Sequence, residues 1–541
     1  ADRRVRAPAS EDRTAVSSAP EVWSSVRSSP RMQGGLLVES MRMDLVSLVA
    51  DCGVLEIVGN ASPSIRTLAF RAQDATPESL FFCLRGVKSD GHDYVAQAVA
   101  RGAVAVVCER PVAVAVPQVI VSSARRAMAL VAARFFHEPS TRLLVAGITG
   151  TNGKTTTAHL LARCFDAAGL PCGLLGTIRN KIGGVEYPVA LTTAESVDLQ
   201  RMFDEMVEAG DRACAMEVSS HALDLERTAG TKFAAVVFTN LTRDHLDYHH
   251  DLEEYYLTKQ RLFLPDDQRQ SGAVAVVNVD DPWGRRLAAA CASAYGDDLW
   301  TYAIEQEAAA RARDLRLEPH GSSFTVEIPR AGQTVRLRTR LGGRFNVENA
   351  LAAATTLVAL GLPATAASEG IAQTGGVDGR FEAVDAGQPF TVLVDYAHTP
   401  DSLENVLRAA RGICSGRLHV VFGCGGDRDR GKRPLMGAIA SSLAESVVVT
   451  SDNPRSEDPQ VIIAEILEGI GAEARSRVEV EPDRRRAIAL ALRDARAGDV
   501  VVIAGKGHEK GQIVGATRVP FDDRDVAPEV LREIRSPRAG A

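Results

Sequence analysis

The chain has 541 residues, 45% of them hydrophobic and 24% charged, with a formal net charge of -7. That length exceeds what one hydrophobic core usually serves, so about two to four domains are expected. The acidic balance argues against a general nucleic-acid binder, which carries a basic face, and no apolar run reaches the roughly 18 residues of a membrane span.

Residues 1–42 are rich in Arg, Ser, Ala and Pro and lack apolar periodicity, so they are expected to be disordered. Arg, Ser, Glu and Asp interrupt them throughout, unlike a signal peptide. Met41 or Met43, just before the apolar Leu45, Leu48 and Val49, is the expected initiator. Over 43–140 short strands and helices alternate: Ser79 to Leu84 and Ala103 to Cys108 read as strands, with a helix from Asp93 to Arg101 between them.

A longer α/β region covers 141–378. Leu143 to Ala146 is a buried strand running into a glycine loop, and the next helix carries Leu160, Leu161, Cys164, Phe165 and Ala168 on one face. Ala213 to Val218, Ala234 to Thr239 and Ala273 to Asn278 are continuous apolar strands, as in a parallel sheet covered on both sides. A third region covers 379–541, with strands at Thr391 to Asp395, Leu418 to Phe422, Ser446 to Thr450 and Asp499 to Ala504. Thr399-Pro400 supplies a cap and a first-turn proline to a helix bearing Leu403, Val406, Leu407 and Ala410. The fold expected is three α/β domains in series: a central P-loop ATPase domain with a mostly parallel sheet, and a Rossmann-like C-terminal domain.

The nine cysteines are scattered and none forms a Cys-x-x-Cys pair. That pattern predicts reduced, buried thiols in a cytoplasmic protein rather than a disulfide framework or a zinc site.

Between strand and helix lies Gly147-Ile-Thr-Gly150-Thr151-Asn152-Gly153-Lys154-Thr155-Thr156. Backbone amides of such a loop and of the helix N-terminus cradle phosphates, the lysine reaches the terminal ones, and the hydroxyl of Thr155 suits Mg²⁺. The strict phosphate-loop pattern needs glycine at 148, where Ile148 stands, but Gly150, Gly153, Lys154 and Thr155 keep the rest. ATP with Mg²⁺ is the expected ligand pair. The loop alone does not separate a motor, a switch, a kinase and a ligase.

The spelling T-G-T-N-G-K-T-T resembles the Mur ligases and the related folylpolyglutamate synthetases. The resemblance continues through Met216-Glu217-Val-Ser219, Thr239-Asn240 to His249, Asp395-Tyr-Ala-His398-Thr-Pro400, Gly423 to Pro434, Asp452-Asn453-Pro454-Arg455 and Gly505-Lys-Gly-His-Glu509. It implies amide formation through an acyl phosphate, with cations and metal ions around three anionic groups. By the resemblance, Glu217 and His245 join Thr155 as metal ligands. Lys259, which composition alone reads as a surface lysine on a helix, becomes a carbamylated metal ligand. Asn346, Asn349, Asp395 and Arg380 are implied ATP contacts, and Lys154, Glu217, His245, Lys259 and Arg380 make up the implied catalytic set. Thr192, Thr193, Ser219 and Arg227 are implied contacts of a UDP-N-acetylmuramoyl dipeptide. Leu225 stands where the family usually has Gln, and Ala69-Phe70-Arg71 where it usually has Asp-Ser-Arg, so Phe70 is expected to stack or pack where the family hydrogen-bonds.

Asp452-Asn453-Pro454-Arg455 resembles the motif of family members that add meso-diaminopimelate; those that add L-lysine usually lack the arginine. The chemistry is direct, since the extra carboxylate of diaminopimelate suits a bidentate guanidinium. Arg428 is a second carboxylate candidate, while Asp452, Gly505 and Glu509 are candidates for the ammonium groups. Small-molecule substrates are the only partners implied, and a monomer is expected. The alternatives left open are the same reaction with L-lysine and a non-catalytic nucleotide-binding protein.

Overall fold

The computed structural model describes residues 42–59, 62–86, 89–267, 269–270, 272–318 and 321–535. The expected disorder of residues 1–41 and the candidate initiator Met41 lie outside the described residues. Met43 opens a short strand, and the helix Leu45–Val49 follows with Leu45, Leu48 and Val49 all buried. The chain forms two compact units.

The first unit holds the described residues through Glu138, together with Glu195–Arg201 and Leu225–Gly230. Its five-stranded sheet runs in the order Val54–Val58, Gln118–Val121, Ala103–Cys108, Ser79–Phe82, Thr67–Ala69. The last four are parallel and Val54–Val58 pairs antiparallel at the edge. Phe70 packs against the apolar core of this unit, and the Arg71 guanidinium lies 5.2 Å from the centre of its ring.

The second unit carries two larger sheets. One has, among the described residues, eleven strands in the order Val185–Tyr187, Asn180–Ile182, Cys172–Leu175, Ala213–Glu217, Leu144–Thr149, Ala235–Phe238, Val274–Asn278, Leu299–Ala303, Ala310–Glu318, Gly321–Ile328, Gln333–Thr339. Its middle is parallel and both ends are antiparallel. Except for the half-buried Leu144, the strands Leu144–Thr149, Ala213–Glu217 and Ala235–Phe238 in the middle are buried, which is why they read as unbroken apolar runs. The other sheet has six, in the order Glu382–Val384, Thr391–Asp395, Val500–Ala504, Leu418–Phe422, Ser446–Val449, Val478–Val480. It is parallel except for Glu382–Val384 at its edge.

The helix Pro400–Ile413 follows its sequence signals: Thr399 and Ser402 form a capping box, Pro400 sits in the first turn, and Leu403, Val406, Leu407 and Ala410 are buried. The helix Arg344–Ala359 is buried along almost its whole length against the eleven-stranded sheet. All nine cysteines are free; eight are buried, which raises their thiol pKa values, and Cys414 departs from the expectation by being only half-buried.

Candidate active site

The functional side chains gather at the carboxyl ends of the parallel strands, where open α/β sheets bind ligands. The loop after Leu144–Thr149 ends in Gly153, whose φ of +86° starts the helix Lys154–Ala167. Gly150 has φ +148°, and a side chain there would collide with Thr239. A Cβ on Gly153 would likewise meet the Asn349 amide. Two glycines therefore let the helix Arg344–Ala359 and the strand ending at Phe238 close on the loop.

Lys154 Nζ donates to the carbonyls of Gly150 at 3.0 Å and Thr151 at 2.8 Å, holding the loop curled around its ammonium. Burial lowers its pKa. The Thr155 hydroxyl donates to Glu217 Oε2 at 2.9 Å, and Glu217 also accepts from the Thr177 amide at 2.7 Å and its hydroxyl at 3.0 Å. Glu217 is 1% exposed, and a Cβ on Gly176 would come within 2.5 Å of its Oε1. This oxygen-only pair, a buried carboxylate facing a hydroxyl beside a phosphate loop, fits a hard divalent cation.

Lys259 is 1% exposed. Its Nζ donates to the Gly150 carbonyl at 2.9 Å and lies 4.5 Å from the centre of the Tyr255 ring. Burial, then the neighbouring Lys154, push its pKa well below the ordinary lysine value. The surface lysine that composition suggested is a buried amine. His245, at φ +54°, sits beside Asp244, and burial lowers its pKa and favours the neutral imidazole. Burial opposes the ionisation of Asp244, yet His245, His398 and Lys432 hold it well below the usual carboxylate range.

Arg380 stands beside the phosphate loop: its Nη2 lies 3.2 Å from the Thr155 hydroxyl and its guanidinium 4.6 Å from the centre of the Tyr396 ring. Both Asp395 oxygens accept backbone amides, Phe381 at 2.6 Å and Ala397 at 2.7 Å, which fixes the turn carrying Arg380. Asn349 accepts from the Thr157 hydroxyl at 3.3 Å and donates to Asn346, which donates to Gly342. Two polar links absent from the sequence reading complete the joint: Arg243 is bidentate to Asp429 at 3.0 and 3.1 Å, and Asn152 donates to Asp401 at 2.7 Å.

Glu348 shares the helix of the two asparagines. Burial raises its pKa to about 7, with Asp280, Asp401 and Asp281 adding to the shift against the pull of Arg344. Its proton uptake therefore stabilises the fold fully below the ordinary value of 4.5, and this is lost as pH rises through about 7. Glu348→Gln is expected to gain roughly 1–3 kcal/mol over wild type at pH 8 and much less at pH 5. Thermal unfolding at both pH values checks this; an equal gain at both would refute it.

Of the implied dipeptide contacts, Thr192, Thr193 and Ser219 come together beside Glu217. The Thr193 hydroxyl donates to the Glu217 carbonyl at 2.9 Å and accepts the Ser219 amide at 3.1 Å, while Thr192 meets the Thr177 hydroxyl at 3.2 Å. Arg227 belongs to the first unit, where it pairs with Glu195 at 2.9 Å.

The Asp452 to Arg455 segment follows the strand Ser446–Val449, and Asp452, Asn453 and Pro454 are buried. The hairpin Gln512–Val514 with Thr517–Val519, not read from sequence, grips it by backbone bonds: Arg455 N to Ile513 O at 3.0 Å and Gly515 N to Arg455 O at 2.7 Å. Arg455, at φ +53°, is thereby locked, and its Nη1 donates to the Gly426 carbonyl at 2.7 Å. Among the described residues it has no carboxylate partner at ion-pair distance. Burial, then the charge of Arg428, lower its pKa. Arg428 donates to the Asp427 carbonyl at 3.1 Å, and among the described residues its only carboxylate partner is the distant Asp247 at 3.9 Å. The two under-neutralised guanidinium side chains both flank Gly425, an arrangement whose chemistry suits a carboxylate. Gly505, at φ +111°, passes close to Asp452, and Asn453 donates to Glu509 at 2.8 Å.

Residues 148–357 match the family described as Mur ligase middle domain, 379–507 the Mur ligase glutamate ligase domain, and 65–136 the Mur ligase family catalytic domain. A UDP-N-acetylmuramoyl-L-alanyl-D-glutamate--2,6-diaminopimelate ligase of Geobacillus thermodenitrificans (strain NG80-2) is 46% identical over 479 residues, 88% of this chain and 96% of that protein. A protein of the same name from Geobacter metallireducens (strain ATCC 53774 / DSM 7210 / GS-15) is 45% identical over 505 residues, 90% and 98% of the two chains. A solved structure of a ligase of that name shares 31% identity and a TM-score of 0.65, covering 92% of this chain and 100% of the other. The MurF ligase from Thermotoga maritima in complex with ADP, at 16% identity and a TM-score of 0.56, shares the fold.

Proposed function

This chain belongs to the Mur ligase family, and from that premise we propose that it joins meso-2,6-diaminopimelate to UDP-N-acetylmuramoyl-L-alanyl-D-glutamate in peptidoglycan precursor synthesis, cleaving ATP to ADP and phosphate. The observation that carries the choice of amino acid is the pair Arg455 and Arg428 flanking Gly425, the first locked by backbone and without a carboxylate partner among the described residues.

The reaction has two steps. An oxygen of the glutamyl carboxylate attacks the γ-phosphorus, the bond to ADP breaks, and an acyl phosphate forms. The neutral amine of diaminopimelate then attacks the carbonyl, phosphate leaves, and the amine gives up a proton. The loop amides from Gly150 to Thr156 and Lys154 hold the phosphates, and Arg380 lies where negative charge grows on the transferred group. Thr155, Glu217, His245 and carbamylated Lys259 would hold Mg²⁺, which when bound supplies charge neutralisation for the phosphoryl oxygens. Thr192, Thr193 and Ser219 lie beside Glu217, where the glutamyl carboxylate must come, and Arg227 serves the nucleotide-linked end. Asn346 and Asn349 shape the ATP side, with Asp395 holding the Arg380 turn.

Such an enzyme works in the cytoplasm on small molecules and needs no second copy of itself. Among the described residues no helix is long and apolar enough to cross a membrane. The test is phosphate release from ATP with the UDP dipeptide and either meso-diaminopimelate or L-lysine. Release is expected only with the dipeptide and diaminopimelate together; equal rates with lysine would overturn the choice of amino acid while leaving the ligase assignment standing.

A further inference from the structure

Lys506 has no role in the reaction as proposed, yet it is a lysine with no exposed surface among residues proposed to bind the amino acid. It follows the strand Val500–Ala504 and the left-handed Gly505. Its Nζ donates to Glu509 Oε2 at 2.9 Å and to Asn453 Oδ1 at 3.1 Å, and lies 3.8 Å from Asp452 Oδ1. Asn453 closes the ring, donating through Nδ2 to the same Glu509 oxygen at 2.8 Å and accepting the Ile513 amide at 3.0 Å. Every polar atom of the Asn453 amide but one N–H is thus engaged inside the protein. Glu509 is pinned through Oε2, and among the described residues its other oxygen has no hydrogen-bond partner.

Resting on the proposed ligase reading, we infer that Lys506 is a positioning and specificity residue for the amino acid. Its ammonium fixes the carboxylate edge of Glu509 that receives the ammonium of the substrate. It also sets the charge of the pocket. Without Lys506, Arg428 and Arg455 would balance Asp452 and Glu509. With it, these five residues carry one net positive charge. Diaminopimelate with its attacking amine neutral bears two carboxylates and one ammonium, one net negative charge. Lysine in the same state bears one of each and is neutral. A pocket with one surplus cation therefore favours the dicarboxylate. The arginine that marks the motif supplies the contact, and Lys506 supplies the balance that makes a second carboxylate welcome.

The test compares Lys506→Met, which keeps the aliphatic stem and removes the charge, with wild type in the phosphate-release reaction. Constants are normalised to the fraction of molecules that bind ADP, so a folding loss does not enter them. The KM for meso-diaminopimelate is expected to rise about 30-fold, as for truncation of a buried charge pair. The KM for ATP should stay within about twofold, and the preference for diaminopimelate over lysine should fall about tenfold. In Lys506→Ala, n-propylammonium is expected to restore part of the lost affinity by occupying the vacated space. An unchanged KM for diaminopimelate, a KM for ATP rising in parallel, an unaltered preference, or no rescue by the amine would each overturn the inference. If wild type itself shows no diaminopimelate-dependent release, the ligase reading fails instead, and the two failures are told apart by that control.

Discussion

Arg455→Ala is expected to lower kcat/KM for meso-diaminopimelate by roughly 30-fold to several thousand-fold, the range of 2–5 kcal/mol for truncating one partner of a buried charge pair. The size follows from how the side chain is held. The hairpin Gln512–Val519 fixes its backbone on both sides, and Gly426 holds one guanidinium nitrogen, so little ordering remains to oppose binding. The guanidinium stands near Arg428, and a substrate carboxylate relieves that repulsion as it binds. In the alanine variant the distal carboxylate would face a half-empty cleft, and lysine would lose its disadvantage. Phase by phase, phosphate release at saturating ATP and UDP dipeptide with titrated amino acid measures both effects. A variant that keeps its constant within threefold would show that Arg455 does not grip the substrate.

Lys259→Met is expected to reduce kcat by roughly 10²–10³-fold, comparable to losing one preorganised electrostatic group in an active site. Only a neutral amine adds to carbon dioxide, releasing one proton and leaving an anionic carbamate. Burial and the adjacent Lys154 hold Lys259 well below the ordinary lysine value, which favours the neutral form that the addition needs. The charge also changes sign at a useful place. An ammonium there adds to the charge of Lys154, whereas a carbamate would oppose it and offer oxygen to a metal ion. Wild-type activity should therefore fall when dissolved carbon dioxide is stripped from the buffer and return when bicarbonate is added. Bicarbonate should do nothing for the methionine variant. Wild-type activity indifferent to bicarbonate would remove the carbamate from the mechanism and leave Lys259 as a loop-holding amine.

The two sites belong to one closed arrangement within the second unit. Asn152 on Asp401 ties the phosphate loop to the helix Pro400–Ile413, Arg380 lies beside Thr155, and Arg243 on Asp429 ties the segment after Ala235–Phe238 to the loop that carries Arg428. The acyl phosphate and the attacking amine must meet, and these links set the distance between the elements that bind them.

Much of this protein was determined locally. Buried parallel strands are unbroken apolar runs, so Ala213–Glu217, Leu418–Phe422 and Thr391–Asp395 announce themselves. The phosphate loop and the helix Pro400–Ile413 carry their own chemistry in consecutive residues, glycines before a lysine and a threonine before a proline. Motif residues such as Glu217 and Arg455 are legible for the same reason. The antiparallel strands Ala310–Glu318 to Gln333–Thr339 were not, because one face of each is polar and the alternation is irregular, with a register shift between Arg313 and Arg316. Nor did consecutive residues reveal the partners that decide the chemistry. Whether Lys259 is a surface cation or a buried amine depends on Gly150 and Tyr255, more than a hundred residues earlier and one helical turn away respectively. Asp395 became a clamp for the Arg380 turn, and Lys506 a third cation among the pocket residues, only when distant strands lay side by side. Short-range pattern specifies what each segment is; burial and the pairing of charges across segments specify what each side chain does, since both depend on neighbours that only the tertiary fold supplies.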